Sequence, residues 1–389
     1  MKRNYKVLSP NNSGSFSEQL QSTLESVQTY AVGINLLCVN VFISSEDDAD
    51  FFQKKKEAIL SFKRCFSGLP LCVLAQAPAN NSLVALEVCS TDTAVIVDYK
   101  RWNDQMYYTI ASEGEHRYLF SAGLAMDIQP NEPVPSLKIQ SESAFSIMQS
   151  ILSKEQFSMD QVVRQWNYIP RLVEEVDVEG KTFQNYQIFN EIRQKYYSYY
   201  KKKSGYPAAT GIGSSNGVVT ISFIAVSDSL CDASYELSNP NQIDAYNYGQ
   251  EVLIGDPLLE QHKKTPLFER GKVMRECEQS TFFISGTASI LGQETVYIGD
   301  VAGQTEQTIQ NITSLMSPDA SKGATPIIHR NLSKELAYLR VYVKDKSDFP
   351  IVQQICEKEY GANSCINYVE AEVCRTNLLV EIEGEFIGH

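Results

Sequence analysis

Near the end of the chain, "NLLVEIEG" (377–384) places Glu381 between Val380 and Ile382 in a stretch that reads as a strand. Leu378, Val380 and Ile382 alternate with Leu379, Glu381 and Glu383, so one face is apolar and the other carries two carboxyl groups. A carboxyl in apolar surroundings keeps its proton to higher pH and can act as a general acid near neutrality. Glu383, on the same face, reads as a solvated carboxylate; as a like charge it would also favour a proton on its neighbour. The plainer reading of the whole stretch is a half-exposed strand with its polar face in water. His116, His262, His329 and His389 sit in no ligand-like spacing. Chemistry must therefore rest on carboxylates, Arg, Tyr or Cys.

Elements long enough to position such groups are available: 389 residues exceed one ordinary core and predict two or three compact units. The net charge of -13 argues against a nucleic-acid binder, which needs a basic surface. The one basic run, "KYYSYYKKK" (195–203), reads as a helix end with a solvated last turn. "MKRNYKVLSPNNSGS" lacks the apolar core of a signal peptide, and no window approaches eighteen apolar residues. The nine cysteines form no CxxC pair, so neither a zinc site nor a disulfide framework is expected, and reduced thiols in a cytoplasmic compartment are. "TGIGSSNG" (210–217) lacks the context of a nucleotide loop and reads as a glycine-rich hairpin turn.

One arrangement recurs three times. A short apolar strand, a charged turn and a helix start appear in "INLLCVNVFISSEDDADFFQKKKEAI" (34–59), "MDQVVRQWNYIPRLVEE" (159–175) and "ELAYLRVYVKDKSDFPIVQQICEKEY" (335–360). Amphipathic helices precede them: "FSEQLQSTLESVQ", "SESAFSIMQSILS" and "QTEQTIQNITSLM", with Met148 and Ile312 in equivalent places. "RYLFSAGLAM" (117–126) and "TFFISGTASI" (281–290) supply opening strands that the first copy lacks. Closing strands "NSLVALEV", "GVVTISFIAV" and "NLLVEIEG" put Ala85, Thr220 and Glu381 at one position. Only the third copy has an acid there. A merely solvated face needs no such asymmetry, so a single reactive cleft is expected.

The motifs "QWNYIP" (165–170), "FNEIRQKYY" (189–197), "YPAATGIG" (206–213), "NPNQIDAYNY" (239–248), "FERG" (268–271), "GTASILG" (286–292) and "EVCR" (372–375), in this order, resemble the chorismatase and hydroxybenzoate synthase branch of the RidA/YjgF superfamily. The resemblance covers about residues 115–389, and the first hundred only through the repeat. It implies an α+β fold of three RidA/YjgF-like (chorismate-mutase-like) units in one chain, a pseudo-trimer with sheets inside and helices outside. The expected units are 1–92 (truncated), 93–235 and 236–389. Deaminating members carry an arginine after Pro-Ala; here Pro207-Ala208-Ala209 stands instead, which disfavours imine deamination.

The resemblance implies cleavage of the enolpyruvyl ether of chorismate to pyruvate and a hydroxybenzoate or dihydrodiol, with no cofactor and no metal. It places the general acid at Glu381 and gives Cys374 a part in product choice. A dianionic substrate needs guanidinium partners, for which Arg375, Arg340 and Arg193 stand in motif positions. Tyr246 and Tyr248 are candidates for hydroxyl contacts, and Gly286 and Thr287 for backbone N–H donors to a carboxylate. The alternative is a non-catalytic small-molecule binder of the same superfamily. Partners are expected to be a small carboxylate alone, with no nucleic acid and no membrane, in a monomer or weak homo-oligomer.

Overall fold

The computed structural model describes residues 1–104, 106–128, 132–178, 180–197, 205–257, 261–276, 279–317, 320 and 333–389. Its strands are β1 (Asn4–Leu8), β2 (Ile34–Ile43), β3 (Leu71–Leu74), β4 (Val84–Asp92), β5 (Ile96–Arg101), β6 (Tyr107–Glu113), β7 (His116–Leu124), β8 (Val162–Pro170), β9 (Glu175–Val178) and β10 (Lys181–Gln184). They continue as β11 (Ala208–Ser214), β12 (Thr220–Val226), β13 (Ser234–Leu237), β14 (Gly271–Glu276), β15 (Gln279–Ala288), β16 (Ile290–Leu291), β17 (Glu294–Thr295), β18 (Lys334–Val343), β19 (Ile366–Glu370) and β20 (Val380–Gly388). The α-helices are α1 (Phe16–Tyr30), α2 (Asp48–Cys65), α3 (Leu137–Lys154), α4 (Asn185–Tyr197), α5 (Asp228–Asp232), α6 (Val301–Leu315) and α7 (Phe349–Tyr360).

Three larger sheets have the orders β1-β4-β2-β3, β11-β8-β12-β7-β6-β5 and β13-β14-β15-β20-β18-β19. In each, a closing strand (β4, β12, β20) runs antiparallel between an opening strand and a long one. The long strands β2, β8 and β18 then cross through α2, α4 and α7 to a parallel edge strand, β3, β11 or β19. A parallel pair requires such a crossover, and a helix supplies it. The helices start where the sequence offers caps: Ser15 closes a capping box on α1, and Asp47 and Asp300 accept from backbone N–H groups at α2 and α6.

Each sheet buries one face under its own helices, with Leu24, Met148 and Ile312 fully buried in the three respective cores. The helix-free faces pack on one another. Phe42, Tyr168 and Tyr342, which the repeat puts at one position, meet in a shared cluster with Ala122, Ala288 and Val369. This contact explains why strands that alternate polar and apolar residues are buried on both sides.

Three expectations change. The first unit does not lack an opening strand: β1 pairs antiparallel with β4, as β7 does with β12 and β15 with β20. β11 and β12 are not a hairpin: both flank β8, so "TGIGSSNG" is an edge strand and its crossing turn. The polar face of β20 does not meet water: Glu381, Glu383 and Glu385 are all buried, while Val380 and Ile382 enter the helix-side core. Leu378, preceding the strand, packs in the central cluster rather than with Val380. The lysines of "KYYSYYKKK" at 201–203 lie outside the described residues.

Candidate active site

β20 lies between β15 and β18, so Glu381 faces Ala288 on one side and Tyr342 on the other. Its carboxyl lines a cavity of about 50 Å³ between the second and third sheets. One wall is Ala209 and Gly211 of β11 with Tyr186, Gln187 and Asn190 of α4; the other is Gly286 and Ala288 of β15, with Phe268, Arg270, Tyr248, Cys374 and Arg375 completing it. A Cβ at Gly286 would lie 2.0 Å from Oε1 of Glu381, so a larger residue there would displace that carboxyl.

Two residues on, Glu383 has the opposite setting. Its Oε2 accepts from Arg164 Nη2 at 2.6 Å and from the Thr210 hydroxyl, while Oε1 accepts from Arg340 Nη1 at 2.8 Å and Trp166 Nε1 at 2.9 Å. The hydroxyls of Tyr342 (3.0 Å) and Tyr338 (3.1 Å) donate to the same oxygen. Arg340 in turn donates from Nε to Glu87 of β4 at 3.1 Å, so one knot of charge ties all three sheets together. Burial alone would raise the pKa of Glu383, but Arg340, Arg164 and these hydrogen bonds bring it below the usual carboxylate value. It is a fixed anion, not the solvated group the sequence suggested.

Glu381 responds to that anion. Burial raises its pKa first and the charge of Glu383 raises it further, against the pull of Arg270 and Arg164, to about 8. At neutral pH the group keeps its proton, in a cavity, beside cations. Thr210 ties Glu383 to the cavity wall: it donates to Glu383 and accepts from the Gly286 N–H at 3.0 Å.

The cations are Arg270 and Arg375, whose guanidinium carbons each lie 5.4 Å from the centre of the Tyr248 ring. Arg270 Nη2 donates to the Tyr248 hydroxyl at 2.5 Å and to the Ile243 carbonyl at 2.7 Å. Arg375 is held by the Gln293 carbonyl at 2.7 Å. Cys374 packs beside them, its thiol pushed up to about 12 by burial and then by Glu381, which favours the neutral form.

Glu381, Cys374, Arg375, Tyr248 and Gly286 are thus brought together, although the Gly286 N–H, expected to face a carboxylate, is given to Thr210. Arg340 is not: it is wholly buried in the knot. Tyr246 faces away, donating to Glu236 at 2.6 Å and packing on Tyr206. Thr287 alternates to the other side of β15 from Gly286 and donates to the Ser285 carbonyl at 2.9 Å. Arg193 lies behind the wall rather than on it, one helical turn from Asn190. Its three guanidinium nitrogens are buried without a hydrogen-bond partner, as are both side-chain polar atoms of Asn190. Burial lowers its pKa, while Tyr186 and Tyr197 oppose that shift.

Arg270, Asn190, Tyr186 and Phe268 were not singled out from the sequence. All but Tyr186 stand in quoted motifs, "FERG" and "FNEIRQKYY", and Arg270 would have been reached by asking which cations could balance a buried acid.

A carboxyl that keeps its proton and two guanidinium groups thus share one cavity. Residues 101–225 match the family model described as Chorismatase FkbO/Hyg5-like, N-terminal. A 3-hydroxybenzoate synthase of Streptomyces hygroscopicus is 29% identical over 281 residues, covering 71% of this chain and 75% of that protein. A chorismatase of Streptomyces rapamycinicus is 31% identical over 180 residues, 46% of this chain and 50% of the relative. A solved structure of a chorismatase superposes with a TM-score of 0.66 at 18% identity, covering 99% of this chain and 98% of that one, which shows a shared α+β fold. Over these stretches the chain is similar to members of the chorismatase and hydroxybenzoate synthase branch to which its motifs pointed.

Proposed function

We propose that this protein cleaves the enolpyruvyl ether of chorismate, releasing pyruvate and a hydroxybenzoate or the corresponding dihydrodiol. The observation that carries the reading is the protonated carboxyl of Glu381 in the cavity that Arg270 and Arg375 border. Glu381 gives its proton to the enolpyruvyl methylene, creating an oxocarbenium centre at the ether carbon. Water adds there, and the C–O bond of the resulting hemiketal breaks to release pyruvate and the diol. Breaking the ring C–O bond to pyruvate with loss of the proton on the neighbouring ring carbon, taken up by the Glu381 carboxylate, instead aromatises the ring to the hydroxybenzoate, and Cys374, which lines the cavity, would influence that choice by its bulk.

The substrate carboxylates would be met by Arg270 and Arg375, which border the cavity. Proton transfer of this kind needs no metal or cofactor.

The common strand order supports reading 1–92, 93–235 and 236–389 as three RidA/YjgF-like units arranged as a pseudo-trimer. The reactive cleft then falls between the second and third units, and a single chain suffices to build it. A small-molecule partner only and a cytoplasmic setting complete the proposal.

The test is incubation of the purified protein with chorismate, without added metal or cofactor, measuring pyruvate and resolving the aromatic products. Pyruvate release is expected, and Glu381→Gln should slow it by about 10²–10⁴-fold while keeping the fold. Unchanged turnover in that variant would remove Glu381 from the acid role; no pyruvate with the unaltered chain would remove the activity.

A further inference from the structure

A second cavity, about 180 Å³, lies between the first and second sheets and is assembled from the same parts as the Glu381 cavity. Its helix is α2 where the other has α4, and its edge strand is β3, through Leu71 and Val73, where the other has Ala209 and Gly211 of β11. Its far wall is Gly123 and Ala125 of the β7 segment where the other has Gly286 and Ala288 of β15. The antiparallel register of β12 on β7, Ile221 against Leu124, carries Thr220 to Ala125, as Glu381 faces Ala288. Thr220 thus holds the place of the acid, and its hydroxyl is spent on the Val218 carbonyl at 2.9 Å. No group at that position can deliver a proton.

The chemistry of the lining selects a ligand class. Phe52, Ile59, Val73, Met106 and Ile128 supply an apolar body, and Lys55, Lys56 and Lys63 border it against a single carboxylate, Asp127. Lys55 projects from α2 with its Nζ 6.0 Å from the Phe51 ring; burial lowers its pKa against the opposing effects of Cys72 and Asp127, so a carboxylate bound beside it favours its charged form. An apolar floor with an excess of ammonium groups at the edge fits a ring-bearing monocarboxylate.

We propose that this cavity binds a small aromatic carboxylate, of the benzoate class, without converting it, with Lys55 as its cationic partner. The site is independent of the reading of Glu381, since none of its residues lines the other cavity. Should the first cavity generate a hydroxybenzoate, the second becomes a place where product is retained or sensed.

Met106 and Met126 line this cavity and no methionine lines the other, which separates the two by experiment. The full chain is labelled at its methionine methyl groups and titrated with benzoate while the methyl resonances are followed. Shifts of Met106 and Met126 are expected, with Met148, buried in the second core, unmoved. Lys55→Glu should weaken the response by about tenfold or more, the factor for losing a charge-assisted hydrogen bond, and Lys55→Met should lie between. Pyruvate release from chorismate should be unchanged in both. Still resonances at Met106 and Met126 up to millimolar benzoate, or equal shifts in the folded Lys55 variants, would overturn the site.

Discussion

Glu381 and Glu383 sit two residues apart on one face of one strand, both buried, yet their surroundings assign them opposite charge states. The Glu383 region is crowded with donors: two guanidinium groups, an indole, a threonine and two tyrosines converge on its oxygens. The Glu381 region offers a cavity, a glycine and cations set further back. Burial costs a carboxylate its hydration in both places; only where hydrogen bonds and opposite charges replace that hydration does the anion persist. The comparison also gives the knot a functional part, because its fixed anion helps keep the proton on its neighbour.

The largest expected effect comes from breaking the richer region. Glu383→Gln leaves Arg164 and Arg340 buried against a neutral amide, and should cost about 3–5 kcal/mol of stability in denaturant unfolding. If the folded variant still turns over, the high-pH limb of its activity should move down, since the like charge beside Glu381 is gone. A limb that stays in place would separate the two carboxyl groups and undo the comparison.

A smaller effect is expected from the poorer region's own cations. Arg270→Met removes a guanidinium that both faces the ligand and pulls the pKa of Glu381 down. Substrate KM should rise by roughly 10–100-fold, with the activity limb shifted to higher pH. A KM effect without the shift would place Arg270 in binding alone.

The subtlest test is pH. Activity should fall as pH rises through about 8, where Glu381 loses its proton. Stability should respond in the opposite sense at the two groups. Between the ordinary carboxyl value of 4.5 and about 8 the unfolded chain has released a proton that native Glu381 retains, so this group's contribution declines with rising pH and levels off above 8. Glu383, with its lowered pKa, contributes stability that is present above 4.5 and lost as pH falls through its folded value. Thermal unfolding of the parent chain and of Glu381→Gln across pH 4 to 9 checks the first sign: the difference between them should change over that window and then flatten.

Strand parity and the inequality of Ala85, Thr220 and Glu381 made the acid legible in the sequence, because a repeat holds environment nearly constant while the residue changes. The helices and long strands were legible for a related reason: Met148, Ile312 and their neighbours follow a periodicity set by one face of one element. What failed was any judgement about partners. Arg340 reads as a carboxylate binder until Glu87 and Glu383, 253 and 43 residues away in sequence, are found holding it. Tyr246 fails likewise, its hydroxyl taken by Glu236.

Local pattern alone therefore determined the helices and the long strands, though not the edge strand β11, and that one closing strand carries an acid at the position where the others have Ala85 and Thr220. Only the packing of three sheets face to face decided that this acid is buried, that Glu383 beside it is an anion, and that Arg270 rather than Arg340 reaches the cavity. The physical reason is range. Helical and strand periodicity follows from neighbours a few residues apart, whereas a pKa and an ion pair depend on whatever charges and cavities the fold brings within a few ångströms.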